Sequence, residues 1–143
     1  DYGTLATGAT GTRIFTINNT GGVVATSLSE VGLSIPYGFL GGSYPGTGGT
    51  CGTTLSAAGS CNIVVEYAPI ATGTQTDTIT MSYFDGVATQ NANRDLTGVG
   101  VAPANLTITE SDPYNFGTLP TGATDTHTFT INNAGGFQAS AIT

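Results

Sequence analysis

Chemistry has few footholds in this chain. His127 is its single imidazole, and the nine acids stand one at a time along 143 residues. Glycosidic cleavage needs two carboxylates facing each other across one bond, and no pair here has a spacing that places both on one face. Serines are frequent, but none comes with the His and acid partners that make a hydroxyl nucleophilic. These residues point away from an enzyme and call for no cofactor. Cys51 and Cys61 flank nine residues. A zinc site would want more thiolates or imidazoles near them. A disulfide formed in an oxidising compartment is the leading reading of the pair, and two free buried thiols are the plainer alternative.

Two further stretches hold residue types that bind ligands. In Glu110-Ser-Asp112-Pro-Tyr114, the carboxylates of Glu110 and Asp112 offer oxygens to a Ca²⁺ at a junction. The Asp-x-Asp spacing of a dedicated calcium loop is absent, so a solvated linker is the plainer reading and no metal is expected. Gly41–Thr50 is rich in glycine, but it lacks the Lys and the following helix of a phosphate cradle. Around it, Tyr37, Phe39 and Tyr44 form either an aromatic platform for a glycan or protein, or ordinary packing.

Composition narrows the classes. Charged residues make up 8% of the chain, Lys is absent, and Arg13 and Arg94 are its two cationic side chains, for a net charge of −7. Binding through nucleic-acid phosphates depends on clustered Lys and Arg, so no nucleic-acid partner is expected. Apolar runs of four to six residues cannot cross a bilayer, and no membrane insertion or signal peptide is read. Glycine contributes 22 residues and threonine 27. Branched Thr and Val favour pleated, half-buried surfaces, and glycine punctuates them with turns.

A repeat sets the organisation. Tyr2-Gly-Thr-Leu-Ala-Thr-Gly-Ala-Thr10 returns as Phe116-Gly-Thr-Leu-Pro-Thr-Gly-Ala-Thr124, and Phe15-Thr-Ile-Asn-Asn-Thr-Gly-Gly22 as Phe129-Thr-Ile-Asn-Asn-Ala-Gly-Gly136. Residues 1–29 and 115–143 agree at 16 of 29 positions with an offset of 114. Arg13 corresponds to His127, so this position accepts different chemistry in the two copies. A period of this size is a whole small sandwich rather than a solenoid repeat. The chain therefore reads as one unit over 1–103 and the first strands of another over 104–143.

The elements follow from alternation of period two. Phe15 and Ile17 point inward between Thr12, Thr16 and Asn18. Cys61, Ile63, Val65 and Tyr67 form a second inward row, closed by Pro69. Ile79, Met81 and Tyr83 lead to Asp85-Gly86, a hairpin signal. Val23–Leu28, Leu33–Phe39, Leu96–Val101 and Asn105–Glu110 supply further strands. The expected fold is all-β, an immunoglobulin-like β-sandwich of about seven strands, with the opening strands of a second unit of the same type.

The run Cys51-Gly-Thr-Thr-Leu-Ser-Ala-Ala-Gly-Ser-Cys61-Asn-Ile-Val-Val-Glu-Tyr-Ala-Pro69 resembles the core signature of bacterial choice-of-anchor D repeats, relatives of hydin-type (ASH) immunoglobulin-like domains. The strand from Gly73 to Met81, Leu96-Thr-Gly-Val-Gly100, the Phe-Gly-x-Leu motif at Phe116–Leu119 and Phe15-Thr-Ile-Asn-Asn19 extend that resemblance. It implies tandem modules of secreted or surface-anchored bacterial proteins, without catalytic residues. The expectation is then a structural repeat of an extracellular or cell-surface fibre, stalk or filament. Its partners would be other copies of itself or adjacent repeats, joined head-to-tail or by strand complementation. Phe129, Ile131 and Phe137 are the expected contacts between units. The alternative is an adhesin-type module that takes a glycan or host-surface protein on the Gly41–Thr50 loop.

Overall fold

In the computed structural model, which describes residues 1–142, every regular element is a strand. The chain divides into two compact units, Asp1–Val101 and Ala102–Thr143. In the first, β1 (Thr4–Ala6), β8 (Thr89–Val101), β7 (Gly73–Phe84), β3 (Ala25–Glu30) and β5 (Thr54–Leu55) form one sheet in that order. A second sheet has the order β2 (Gly11–Asn18), β6 (Ser60–Tyr67), β4 (Tyr37–Phe39). All pairings are antiparallel except that of β1 with β8, where Thr4 lies beside Val99 and Ala6 beside Val101. This is the expected all-β sandwich.

The alternating rows build its core. Ile63, Val65 and Tyr67 of β6 face Ile79 and Met81 of β7 and Leu96 of β8, with Phe15 and Ile17 packed against them. Three tyrosines meet at the centre. Tyr37 stacks on Tyr67 with ring centroids 4.8 Å apart, and Tyr2 lies 5.6 Å and 5.5 Å from the two. Each hydroxyl finds an acceptor: Tyr2 donates to the Val65 carbonyl, Tyr37 to the Gln75 carbonyl and Tyr67 to Gln75 Oε1. Buried phenols without such partners would cost the desolvation of a polar group. Burial pushes the Tyr37 phenol up to about 12 and that of Tyr2 higher still.

The glycines of Leu96-Thr-Gly-Val-Gly100 belong to this core. A Cβ at Gly98 would lie 2.5 Å from the Tyr67 ring, and one at Gly100 would meet the Ala71 carbonyl. Tyr67 lies on the bare backbone of Gly98, and the Ala71 segment on that of Gly100.

Several boundaries differ from the sequence reading. The strand expected at Val23–Leu28 starts at Ala25, because the Asn19 side-chain amide takes the Val23 carbonyl and holds that stretch in a turn. Leu33–Phe39 is extended only from Tyr37; Pro36 has no N–H to give a ladder, and the Tyr37 N–H bonds Ser34 instead. The final strand begins at Thr89, well before Leu96. Residues 89–95 are exposed and, apart from Ala92, polar, so they carry no apolar alternation, yet they pair fully with β7. Their hairpin turn is held by Asp85, whose Oδ1 accepts the N–H groups of Val87 and Ala88.

In the second unit, β9 (Leu106–Ile108) pairs antiparallel with β10 (Ile131–Asn133). Residues 125–130, counterparts of the first part of β2, form no strand. Among the described residues that unit holds no counterpart of β6 for them to pair with.

Candidate functional site

The sequence candidates fall in three places. Cys51 and Cys61 are joined as a disulfide, Cα atoms 4.9 Å apart, and among the described residues no free cysteine exists. Cys61 is on β6 and Cys51 ends the glycine-rich loop, so the bridge fastens that loop to the central strand of the smaller sheet.

The loop itself is tied down along its length. Val64 N–H donates to the Pro45 carbonyl, Leu40 N–H to the Val64 carbonyl, and Thr50 N–H to the Asn62 carbonyl. Val64 points away from the sandwich interior, yet it is buried because this loop covers it. Gly46 makes the approach feasible: its φ is +88° and a Cβ there would lie 3.1 Å from Val64 Cβ. Of the three loop aromatics, Tyr37 corrects the platform reading, since it is 2% exposed and belongs to the core. Phe39 and Tyr44 meet edge-to-face at 5.5 Å, half-buried, with the Tyr44 hydroxyl donating to the Gly52 carbonyl. All three pack on one core, Tyr37 within it and Phe39 and Tyr44 at its margin.

In the second unit, Tyr114, Phe116, His127 and Phe129 form an aromatic group. Tyr114 stacks on His127 at 4.2 Å, and both rings meet Phe129 edge-on at 5.2 Å and 5.0 Å. Tyr114 Oη lies 2.9 Å from His127 Nδ1, and Glu110 Oε1 lies 3.9 Å from Nε2. The acid, phenol and imidazole come together although sequence spacing marked no such group. The only signal was that Glu110 and Tyr114 precede the duplicated segment. Glu110 Oε1 also accepts the Thr130 N–H at 3.0 Å. That bond, with smaller help from Glu110's own backbone N–H and from His127, outweighs partial desolvation and holds the Glu110 carboxyl below its ordinary 4.5.

The sign of this linkage is that of a depressed acid. Its contribution is complete above the unfolded pKa near 4.5 and disappears as pH falls through the lower folded value. We expect the Thr130 amide resonance to titrate with a midpoint below 4.5, and Glu110→Gln to abolish that titration. A midpoint at or above 4.5 would refute the bond. Asp112 does not join Glu110, and among the described residues no group of three or more His, Cys, Asp or Glu is arranged to hold a metal.

Phe129, Ile131 and Phe137, the expected contacts between units, are 43%, 55% and 40% exposed.

A fourth place was not singled out from the sequence. Beside β2, the outer strand of its sheet, an apolar groove of about 320 Å³ opens between the two sheets. Leu28 and Met81 floor it, and Ile17, Val23, Tyr83 and Ala92 line its sides. At its end sits the turn Asn19-Thr-Gly-Gly22. Asn19 Oδ1 accepts the Gly21 N–H, and Asn19 Nδ2 donates to the Val23 carbonyl. The second unit builds the same turn: Asn133 Oδ1 accepts the Gly135 N–H, and Nδ2 donates to the Phe137 carbonyl.

No family model and no curated protein matches the chain. Among solved structures it is similar to an ASH/PapD-like domain of human CEP192, PapD-like domain 7. The two are 15% identical, with a TM-score of 0.48 over 70% of this chain and 78% of that one.

Proposed function

We propose that this chain is a structural repeat module of an extracellular bacterial fibre, stalk or surface filament, of the choice-of-anchor D kind. Its units join head-to-tail or by strand complementation. The observation that carries this reading is the duplication itself. The same Asn-x-Gly turn, with the same two side-chain bonds, is built at Asn19 and at Asn133. The second copy meanwhile leaves Phe129, Ile131 and Phe137 partly exposed, at 43%, 55% and 40%. Apolar surface of this kind calls for a covering partner, and the duplication supports a repeat of the same fold in that place. The low charge and the disulfide suit an oxidising exterior. Outward Thr12 and Thr16 give β2 a hydrogen-bonding face, and Arg13 is the single charged residue on that edge strand.

The adhesin alternative keeps Phe39 and Tyr44 as its aromatic surface, at the base of a loop that is hydrogen-bonded to β6. Electron microscopy of the purified chain at micromolar concentration separates the two. Filaments with an axial repeat of roughly 40 Å, about one domain length, are expected, and Tyr44→Ala should leave them intact. Dispersed monomers, with Tyr44→Ala abolishing capture on a glycan array, would overturn the structural reading in favour of the adhesin.

A further inference from the structure

We propose that the open edge of β2 from Ile17 to Gly22 is an acceptor for one more antiparallel strand. Its occupant is the Ala102–Ile108 segment of a second copy of this chain, which exchanges its own pairing with β10 for the edge of β2. The proposal rests on the assembly reading above and specifies which surfaces meet.

The second unit shows the pairing that the first unit lacks. Its Ile131-Asn-Asn133 is identical to Ile17-Asn-Asn19 and pairs with β9 in the register Ile131 with Ile108, Asn132 with Thr107 and Asn133 with Leu106. Three bonds continue that pairing: Asn105 N–H to Asn133 Oδ1, Ala134 N–H to the Asn105 carbonyl, and Gly136 N–H to the Ala102 carbonyl. The matching groups in the first unit are Asn19 Oδ1 and the N–H groups of Thr20 and Gly22. Within the first unit Asn19 Oδ1 takes only the local Gly21 N–H, and neither Thr20 nor Gly22 donates to a backbone carbonyl. An edge with such unpaired groups is a template for another strand.

The glycine of the turn carries the same message. At Gly135 a Cβ would lie 2.7 Å from Ala104 Cα and 2.7 Å from Asn105 N, so the strand before β9 needs glycine beneath it. Gly21 occupies the same position in the first unit, yet a Cβ there would meet only the side-chain oxygen of Asn19, at 3.2 Å. A passing strand accounts for a glycine at both sites.

The groove supplies the apolar part. Residues opposite each other in an antiparallel pair share a face, so Ile108 would stand over Ile17, whose side chain packs against the core. Leu106, two residues away, falls on the same face. In the second unit Leu106 lines a hollow with Ala139 and Ile142, the counterparts of Ala25 and Leu28. Ala25 and Leu28 are among the residues that line the groove of the first unit.

The test uses the full chain and a synthetic peptide spanning 102–110. Amide exchange of Thr20 and Gly22 is followed by NMR, and association by sedimentation. Self-association should protect both amides, and the peptide should compete with it and protect them in turn. Gly21→Ala, whose Cβ in the isolated turn would press only on Asn19 Oδ1, at 3.2 Å, and Val23→Asp, at a site 58% exposed, should each weaken peptide binding by roughly tenfold or more. A peptide carrying Leu106→Asp should lose binding. Assembly that leaves Thr20 and Gly22 unprotected and ignores Gly21→Ala overturns the acceptor site while the fibre reading stands. Peptide binding by a chain that stays monomeric overturns the second copy as occupant, and the non-covalent fibre with it, and assigns the edge to a strand from elsewhere in the same polypeptide. Neither binding nor assembly overturns both.

Discussion

Tyr67→Ala is expected to unfold the first unit at room temperature or bring it close to unfolding. The Tyr67 side chain is 0% exposed, stacks on Tyr37, touches Tyr2 and lies across the backbone of Gly98. Truncating a large buried aromatic costs about 3–5 kcal/mol, against a total of roughly 5–15 kcal/mol for a domain. The vacated space lies where Gly98 offers no side chain to collapse into it, which places the loss toward the upper end. Tyr67→Phe separates packing from hydrogen bonding. It keeps the stack and removes the bond to Gln75 Oε1, for a loss of about 1 kcal/mol. Urea unfolding followed by circular dichroism measures both. A Tyr67→Ala loss no greater than that of Tyr67→Phe would mean that the three rings are not the core of the sandwich.

The second large effect is expected from Cys51→Ser combined with Cys61→Ser. Closing a loop of ten residues restricts the unfolded chain by about 2–3 kcal/mol in the loop-entropy account. For a unit of this size that corresponds to a fall in Tm of about 10–20 °C. Reduction of the native protein should produce the same shift, and the doubly substituted chain should ignore reductant. The loss should also be local, with the amides of Thr50 and Val64 exchanging faster because the bridge fastens Gly41–Thr50 to β6. An unchanged Tm would show that the loop holds by its backbone bonds to Val64 and Asn62 alone.

Much of the sandwich was legible because strands buried on one face alternate. Phe15 and Ile17, Ile63 and Val65, Ile79 and Met81 each announce an inward row, and the structure packs all six in one core. Where that physics fails, so does the reading. Residues 89–95 hold a single apolar side chain, Ala92, and backbone pairing makes them a strand. Val64 breaks the alternation of β6 because a loop, not a sheet, covers it. Tyr37, in the strand expected at Leu33–Phe39 just before the glycine-rich loop, reads equally as platform or packing; its burial against Tyr67 depends on long-range contacts that local pattern does not encode. The candidate site was half visible. The duplication of Asn19 and Gly21 at Asn133 and Gly135 stood in the sequence, but its meaning needed the bonds that Asn105 and Ala102 make in the second unit.

The parallel pairing of β1 with β8 bears on how the first unit answers a pull on its ends. Tyr2 N–H donates to the Thr97 carbonyl, Val99 N–H to the Gly3 carbonyl and Thr7 N–H to the Val101 carbonyl, so the ladder runs from Tyr2 to Thr7. Because the two strands point the same way, the polypeptide enters beside Thr97 at one end of the ladder and leaves after Val101 at the other. Tension between residues 1 and 101 drags β1 and β8 past each other in opposite directions. These bonds are then loaded in shear and must fail together, whereas an antiparallel pair pulled from one end unzips one bond at a time. A unit strung in a line of its own kind would carry load through its first and last strands, with the rest of the sandwich shielded behind them.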